Sequence, residues 1–255
     1  MLAIFIGFIA CTHKKTIHKK KTTTAAKQKK PKKAVNTKKI IQNKLSANRY
    51  PKKTVRLYSM AQMHLSDNDR KRMEMLGSAA KGRQALGAIL AMGDDGNRVL
   101  KKALRWTNPN GRIQAAIIAS RIKHPDKDVL ALMVQNLLHD PDQDCRSQTA
   151  AVFVDLHYRP AIPSLLKMLQ QDPHPMARAN AAWALGAFRD RKAVLPLITA
   201  LNDKYTWVRL RAASALKKLA DRRAIKAIKS HIKTEKNPMV KKRLRQALTA
   251  CKRHK

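Results

Sequence analysis

Side chains that could carry out chemistry are few and scattered in this chain of 255 residues. No two of its nine His residues have the i, i+4 spacing of a helical zinc site. Only His139 stands directly beside an acid, Asp140, and there a helix cap is the simpler interpretation. The sequence contains neither a Gly-rich phosphate loop nor a nucleophile elbow. We therefore expect no catalytic centre, no metal site and no cofactor.

Cationic side chains are the abundant chemical group. Lys and Arg number 55 against 16 Asp and Glu, so the formal net charge is +39, and such a chain attracts phosphates, acidic proteins and anionic surfaces. Residues 221–255 hold 13 basic residues and only two acids. We interpret the basic set in the C-terminal repeats as a candidate contact surface for an anionic partner, with a solvated face as the alternative. Its members are Lys217, Lys218, Arg222, Arg223, Lys226, Lys229, Lys241, Lys242, Arg243 and Arg245.

The first eleven residues read as an export signal. Leu2 to Ala10 is a run of nine apolar or small residues, which suits a signal peptide and is far shorter than the ~20 residues of a membrane span. Its end, Phe8-Ile9-Ala10-Cys11, resembles the lipobox of bacterial lipoproteins, although Phe8 replaces the usual Leu and no basic residue precedes the run. The resemblance implies lipid attachment at Cys11 and, with Thr12 next, the outer membrane rather than the inner one. Another export signal, or an apolar segment packed on the fold, is the alternative.

Residues 12–53 combine Lys, Thr, Ala, Gln and Asn with few large apolar side chains. Such a composition cannot offset the entropy of ordering the backbone, so we expect a disordered basic linker. The first carboxylate is Asp67, and residues 54–76 are predicted to form N-terminal capping helices, the second of which begins near Ser66.

A repeat of about 32 residues runs through the rest of the chain. Arg112, Arg146, Arg178 and Arg209 are 34, 32 and 31 residues apart, and each is followed by small or apolar pairs at offsets of three, four, six and seven. More weakly, Arg83 and Lys241 begin the same pattern. These offsets place the small residues on one helical face, so each unit is predicted to be a helix pair that buries its apolar stripe by stacking on its neighbours.

The segments 178–186 (RANAAWALG) and 208–216 (VRLRAASAL) resemble the short HEAT-like repeats of phycobilin-lyase-related proteins. The resemblance implies an all-α, right-handed α-solenoid over residues 77–251, preceded by the disordered lysine-rich tail. It also implies that the repeated Arg residues pair with loop acids of neighbouring repeats, for which Asp172 and Asp203 are suitable. Cys145 and Cys251 would then lie about 25–30 Å apart, too far for a disulfide.

Two enzyme families on HEAT-like scaffolds provide tests of catalysis. Deoxyhypusine hydroxylases bind iron through His-Glu pairs, and here neither Glu74 nor Glu235 follows a His. HEAT-like alkylpurine DNA glycosylases carry Trp and Asp in a basic cleft, and no such constellation can be matched here. We expect Trp207 to be a packing residue and Trp183 to be the more exposed of the two.

These observations predict a non-enzymatic, membrane-tethered scaffold or adaptor in the bacterial cell envelope, which binds a protein partner through its repeat surface. The tail would also meet anionic lipid or cell-wall polymer. The alternative is a protein that binds nucleic acid or another polyanion through its basic C-terminal repeats and tail.

Overall fold

A computed structural model describes residues 55–78, 80–122 and 124–253. The predicted signal peptide with Cys11 and the predicted linker over residues 12–53 lie outside the described residues and stay predictions. Within the described part the chain is all-α, as expected, and its single strand-like contact is an isolated bridge between Tyr58 and Trp106.

Twelve α-helices occupy the described residues. They are α1 (Asp67–Gly77), α2 (Gly82–Leu90), α3 (Gly96–Ala103), α4 (Pro109–Ala119), α5 (Lys127–His139), α6 (Gln143–Asp155), α7 (Ile162–Gln171), α8 (Pro175–Phe188), α9 (Val194–Ala200), α10 (Thr206–Leu219), α11 (Ile225–Thr234) and α12 (Pro238–Arg253). Short 3-10 turns at Arg159–Ala161, Arg191–Ala193 and Arg222–Ala224 lead into α7, α9 and α11.

The helices form two layers. In the first layer α1, α4, α6, α8, α10 and α12 each pack on the next one. In the second layer α3, α5, α7 and α9 pack in the same order, and α9 touches the turn that leads into α11. The layered helix pairs are an α-solenoid, while its right-handed sense stays a prediction.

The repeat pattern that begins at Arg83 predicted a first-layer helix there, and this prediction was wrong. Arg83 lies exposed on α2, a short additional helix between α1 and α3, and α1 takes the first-layer place against α4. Because α2 is an additional helix that does not belong to the 32-residue repeat, an assignment based on the repeat interval placed it in the wrong layer.

Loop residues cap the N-terminal ends of the first-layer helices. Small residues between these helices allow neighbouring helices to pack closely. The Asp142 carboxylate accepts the backbone N–H groups of Asp144 and Cys145 at the start of α6. In the interface between α8 and α10 the buried face consists mainly of Ala, and Gly186 lies against Ala215. The helices α8 and α10 end at residues with left-handed backbone, Arg189 and Ala220, at φ 52° and 50°.

The buried core runs along the seam between the two layers and includes Phe153, Met133 and Leu185. Cys145 and Cys251 are both buried and both free. None of the helices in the described part of the chain combines the length and the hydropathy needed to cross a bilayer.

Candidate interaction surfaces

A ladder of Arg–carboxylate pairs crosses the loops between the repeats. In each rung the Arg Nε and one Nη donate to the two carboxylate oxygens of the following loop at 2.7–3.0 Å, and the other Nη donates to carbonyl oxygens of the loop before its own helix. The rungs are Arg112–Asp140, Arg146–Asp172, Arg178–Asp203 and Arg209–Glu235. Each guanidinium therefore fastens two consecutive loops together.

Two of the ladder carboxylates, Asp140 and Glu235, were missed by the sequence analysis. Asp140 was interpreted as a cap, and Glu235 was considered only as a half of a metal-binding His-Glu pair. Both lie 26 to 28 residues after their Arg, the interval that also separates Arg146 from Asp172. That interval was the signal that could have found them.

The ladder side chains are tied to the fold and are unavailable for a partner. Arg112 is 2% exposed. The hydrogen bond with Arg209 lowers the pKa of Glu235, and the same contact raises the pKa of Arg209. The ladder is therefore a structural element, in keeping with the role that the HEAT-like resemblance implied for these residues.

Charge is distributed very unevenly along the described stack. Residues 173–253 contain 21 Lys or Arg and only four acids, namely Asp190, Asp203, Asp221 and Glu235. All four acids already pair with an Arg. The surface of this half is therefore cationic with no unpaired carboxylate, whereas residues 55–172 contain 12 of the 16 acids.

Three large apolar side chains form an exposed row across this cationic half. Met176, Trp207 and Met239 are 49%, 60% and 59% exposed. Each is the second residue of its first-layer helix, α8, α10 or α12, and these helices pack side by side. We call these three residues the apolar row. Large apolar side chains that are exposed in register make this row a candidate interaction surface.

Cations flank the apolar row on both sides. Lys204 and Lys236 lie in the loops just before α10 and α12, and Arg211 and Arg243 stand one helical turn after Trp207 and Met239, on the same face of their helices. The Lys204 ammonium lies 5.0 Å from the ring centroid of the half-exposed Tyr205. None of the four flanking cations forms an ion pair within the described residues.

The row is confined to the C-terminal half. At the corresponding second residue, α6 has Asp144 and α4 has Asn110, both exposed and polar. A surface that served only to cover the helices would not change character between repeats in this way. The change locates the candidate binding surface on α8, α10 and α12.

A second cationic feature follows the turns from first-layer to second-layer helices. We call it the turn edge, and all of its members are exposed: Arg159, Arg189, Arg191, Lys192, Lys217, Lys218, Arg222, Arg223, Lys252 and Arg253. The Arg159 Nη1 donates to the Phe188 carbonyl oxygen at 3.0 Å, and the Arg223 Nη2 donates to the Arg191 carbonyl oxygen at 3.0 Å, so the edge is continuous between repeats. The Arg223 hydrogen bond lowers the pKa of Asp221 to about 2.

The ten basic residues singled out in the sequence do not form one patch. Lys217, Lys218, Arg222 and Arg223 belong to the turn edge, and Lys226 and Lys229 are exposed on α11. Lys241, Lys242, Arg243 and Arg245 lie around α12, with Lys241 and Arg243 half-buried. The sequence analysis missed the earlier members of the turn edge, because it considered only the last repeats.

Two of the α12 cations have a structural explanation. By repeat spacing, Lys242 and Arg245 take the positions at which α10 has the buried residues Leu210 and Ala213. Charges at these positions make the outer face of α12 polar, as in a capping repeat. We therefore exclude this pair from the candidate surfaces.

The predicted environments of two Trp residues were wrong. Trp207 is exposed, and Trp183 is the partly buried one that packs against the core. Val208 is fully buried on α10, whereas Trp207, about 100° away around the helix, lies on the solvent side. Within the described residues, no group of three or more His, Cys, Asp or Glu side chains is arranged to hold a metal ion.

The fold and the ladder define a protein of stacked helical repeats, and comparison with known proteins gives its class. Residues 162–249 match the family model for HEAT repeats, so this part of the stack consists of HEAT-like repeats. Repeats of this kind form scaffolds that mediate protein interactions.

Individual relatives are distant. An uncharacterized protein in the gldA 3' region of Geobacillus stearothermophilus is 28% identical over 97 residues, which cover 31% of this chain and 45% of that protein. The matched part of the chain thus spans less than half of this relative.

Three solved structures are similar in part. Two are engineered proteins of the Northeast Structural Genomics Consortium, at 22% identity with a TM-score of 0.45 (74% of this chain, 97% of that one) and at 17% with 0.48 (74% and 99%). The third is human deoxyhypusine hydroxylase in complex with glycerol, at 16% identity and a TM-score of 0.42 (69% and 80%).

Proposed function

We propose that this protein is a non-enzymatic scaffold that is held at the bacterial cell envelope by a lipid on Cys11 and binds a protein partner through its C-terminal repeats. The apolar row carries the proposal. Three large apolar side chains at one repeat position leave about half of their surface in water, and burying that surface under a partner is favourable. The lipobox-like Phe8-Ile9-Ala10-Cys11 supports the tether.

Photo-crosslinking in the cells that produce the protein tests the partner. A benzophenone amino acid at position 207 should give a discrete crosslinked adduct. Leu195, which is 63% exposed on α9 in the other layer, is the matched control position and should give none. Equal labelling from the two positions, or no adduct from position 207, would contradict the proposal.

Acyl labelling tests the tether separately. Wild type should take up labelled fatty acid and sediment with membranes, and Cys11→Ser should do neither. A wild-type protein that stays unlabelled and soluble rejects the lipid anchor while leaving the partner surface open.

A polyanion-binding function is the second candidate, and one observation favours it. Lys192 and Arg222 stand in the 3-10 turns at the N-terminal ends of α9 and α11, where the helix dipole disfavours cations. Helix stability would select acids there, so these cations are better explained by a ligand. A continuous series of exposed cations favours a sequence-independent contact with a phosphate backbone.

The salt dependence of binding to a 30-nucleotide single-stranded DNA tests this candidate. The variant with Lys192, Lys217, Lys218 and Arg222 all changed to Gln should lower the slope of log affinity against log salt by about 3, since each phosphate contact contributes ~0.7. The control changes Lys229, Lys233, Lys242 and Arg245 to Gln and removes the same charge elsewhere. Equal effects of both variants would show that only net charge matters and would reject the turn edge as a site.

A further inference from the structure

The chemistry around the apolar row narrows the kind of partner that fits it. An apolar surface alone accepts many occupants, among them a second copy of this chain. Here, however, Lys204 and Lys236 lie on one side of the row and Arg211 and Arg243 on the other. Two copies docked by this face would bring these unpaired cations together, in a chain whose net charge is +39. Like charges brought together on docking disfavour self-association.

The complementary occupant carries acids on both sides of an apolar stripe. Residues 173–253 have no unpaired carboxylate that could neutralise the flanking cations from within the stack. The flanking cations are therefore free to pair with the carboxylates of a partner. Acids on both margins and apolar side chains along the centre describe an amphipathic segment.

The spacing of the row favours a helix in this role. Neighbouring helices in a layer are about 8–10 Å apart, so Met176 and Met239 lie roughly 20 Å from each other across α10. On an α-helix, residues seven apart are separated by about 10.5 Å and lie on the same side. A partner helix lying across α8, α10 and α12 would thus present one apolar side chain to each member of the row.

We propose that the apolar row binds an acidic amphipathic helix of the partner protein, with apolar side chains seven residues apart against Met176, Trp207 and Met239. This inference rests on the proposed scaffold function and adds the chemistry of its partner. Trp207, at the centre, is the residue on which binding depends most, because central buried aromatic side chains contribute most of the binding free energy in interfaces.

Selection from a displayed library of random 21-residue peptides against the full chain tests the proposal. An acidic bias alone would not support it, because any basic surface selects acidic peptides. The expected peptides also repeat apolar residues at intervals of seven, and they bind Trp207→Ala at least tenfold more weakly than wild type. Arg211→Gln/Arg243→Gln should weaken them too. The controls Leu195→Ala and Lys226→Gln/Lys229→Gln should bind like wild type.

Several results would overturn the inference. Selected peptides that bind Trp207→Ala and wild type equally would place the site elsewhere, and peptides without the apolar repeat would reject the helix. A library that yields no Trp207-dependent peptide rejects it as well. Phosphatidylglycerol vesicles provide the last arm. A blue shift of the tryptophan emission that occurs with vesicles, is lost in Trp207→Phe, and occurs with no selected peptide would assign the row to a membrane surface. A crosslinked partner at position 207 without an acidic helix would leave the scaffold function intact and reject only this inference.

Discussion

At the residue scale, the repeated guanidinium is the most informative group in this protein. A single Arg side chain donates in two directions, to carbonyl oxygens of its own loop and to the carboxylate of the next repeat. The planar fork of Arg makes this double contact, whereas Lys offers a point charge without that geometry. The ladder therefore sets the register between repeats as well as contributing ion pairs.

Removing a carboxylate from a buried rung should be costly. Asp140→Ala leaves the buried Arg112 guanidinium without its partner, and we expect the free energy of unfolding to fall by about 3–5 kcal/mol. Glu235→Ala is the matched change at a rung where the Arg209 side chain is 18% exposed, and its loss should be clearly smaller. Urea denaturation of the two variants measures the difference. Equal losses would show that burial does not decide the cost of a broken rung.

The carboxylate of Asp221, which pairs with Arg223 of the turn edge, should give the protein an acid-sensitive component of stability. Its folded pKa of about 2 lies below the unfolded value of about 4, so its charged form stabilises the fold above pH 4 and this stabilisation is lost as the pH falls toward 2. Asp221→Asn should therefore be less stable than wild type at pH 6. The gap between the two should narrow between pH 4 and pH 2 in thermal unfolding scans. A gap that is constant with pH would contradict the assigned pKa.

At the element scale, the approach of α8 to α10 depends on the absence of a side chain. A Cβ at Gly186 would lie 2.7 Å from the Ala215 Cα and Cβ, far inside van der Waals contact. Both neighbours belong to the opposing helix, one of them to its backbone, so the helices themselves would have to separate. Gly186 lies within α8 and serves its packing.

Two Gly→Ala changes should therefore have opposite effects. Gly186→Ala should lower the free energy of unfolding by about 1–3 kcal/mol, the usual cost of overpacking. Gly87→Ala, in α2, meets nothing within 4 Å and should raise it by about 0.5–1 kcal/mol, because Ala is the better helix former. Chemical denaturation of both variants decides the matter. A stabilised Gly186→Ala would mean that the helices separate at no cost.

Periodicity predicted the elements better than the environments of single residues. The recurring Arg residues located four first-layer helices and their ladder, since a strict interval reports a repeated contact. Helix α2 was misassigned because one insertion shifts the interval without changing the local pattern. Trp207 was expected to be packed because the position before Val208-Arg209 commonly holds a packed aromatic residue in repeats of this kind, but here the side chain is exposed. The side of a helix that faces solvent is decided by its contacts with neighbouring repeats. The hydrophobic pattern of one helix contains no information about those contacts.

At the scale of the whole molecule, the stack is a chain of neighbour contacts with a polarised surface. Helix α6 packs on α4, α5 and α8, while α12 packs on α10 and α11. In such an arrangement stability is the sum of repeat and interface contributions, so a defect near one end need not spread to the other. Helix α12 contributes Met239 to the apolar row and cations to the surface around it. Binding at the apolar row should therefore depend on the local stability of α12.

A core deletion in α12 should therefore act locally. Leu244 is fully buried between α12 and its neighbours, and Leu244→Ala removes about 2–5 kcal/mol of packing. Native-state hydrogen exchange should show faster exchange in α12 and unchanged protection in α4 and α6. The same variant should weaken Trp207-dependent peptide binding, because Met239 loses its fixed position.

Phe153→Ala in the middle of the stack is the control and should reduce protection on both of its sides. If Leu244→Ala lowered protection in α4 as much as in α12, the stack would unfold as one cooperative unit, and the expected local effect would be wrong.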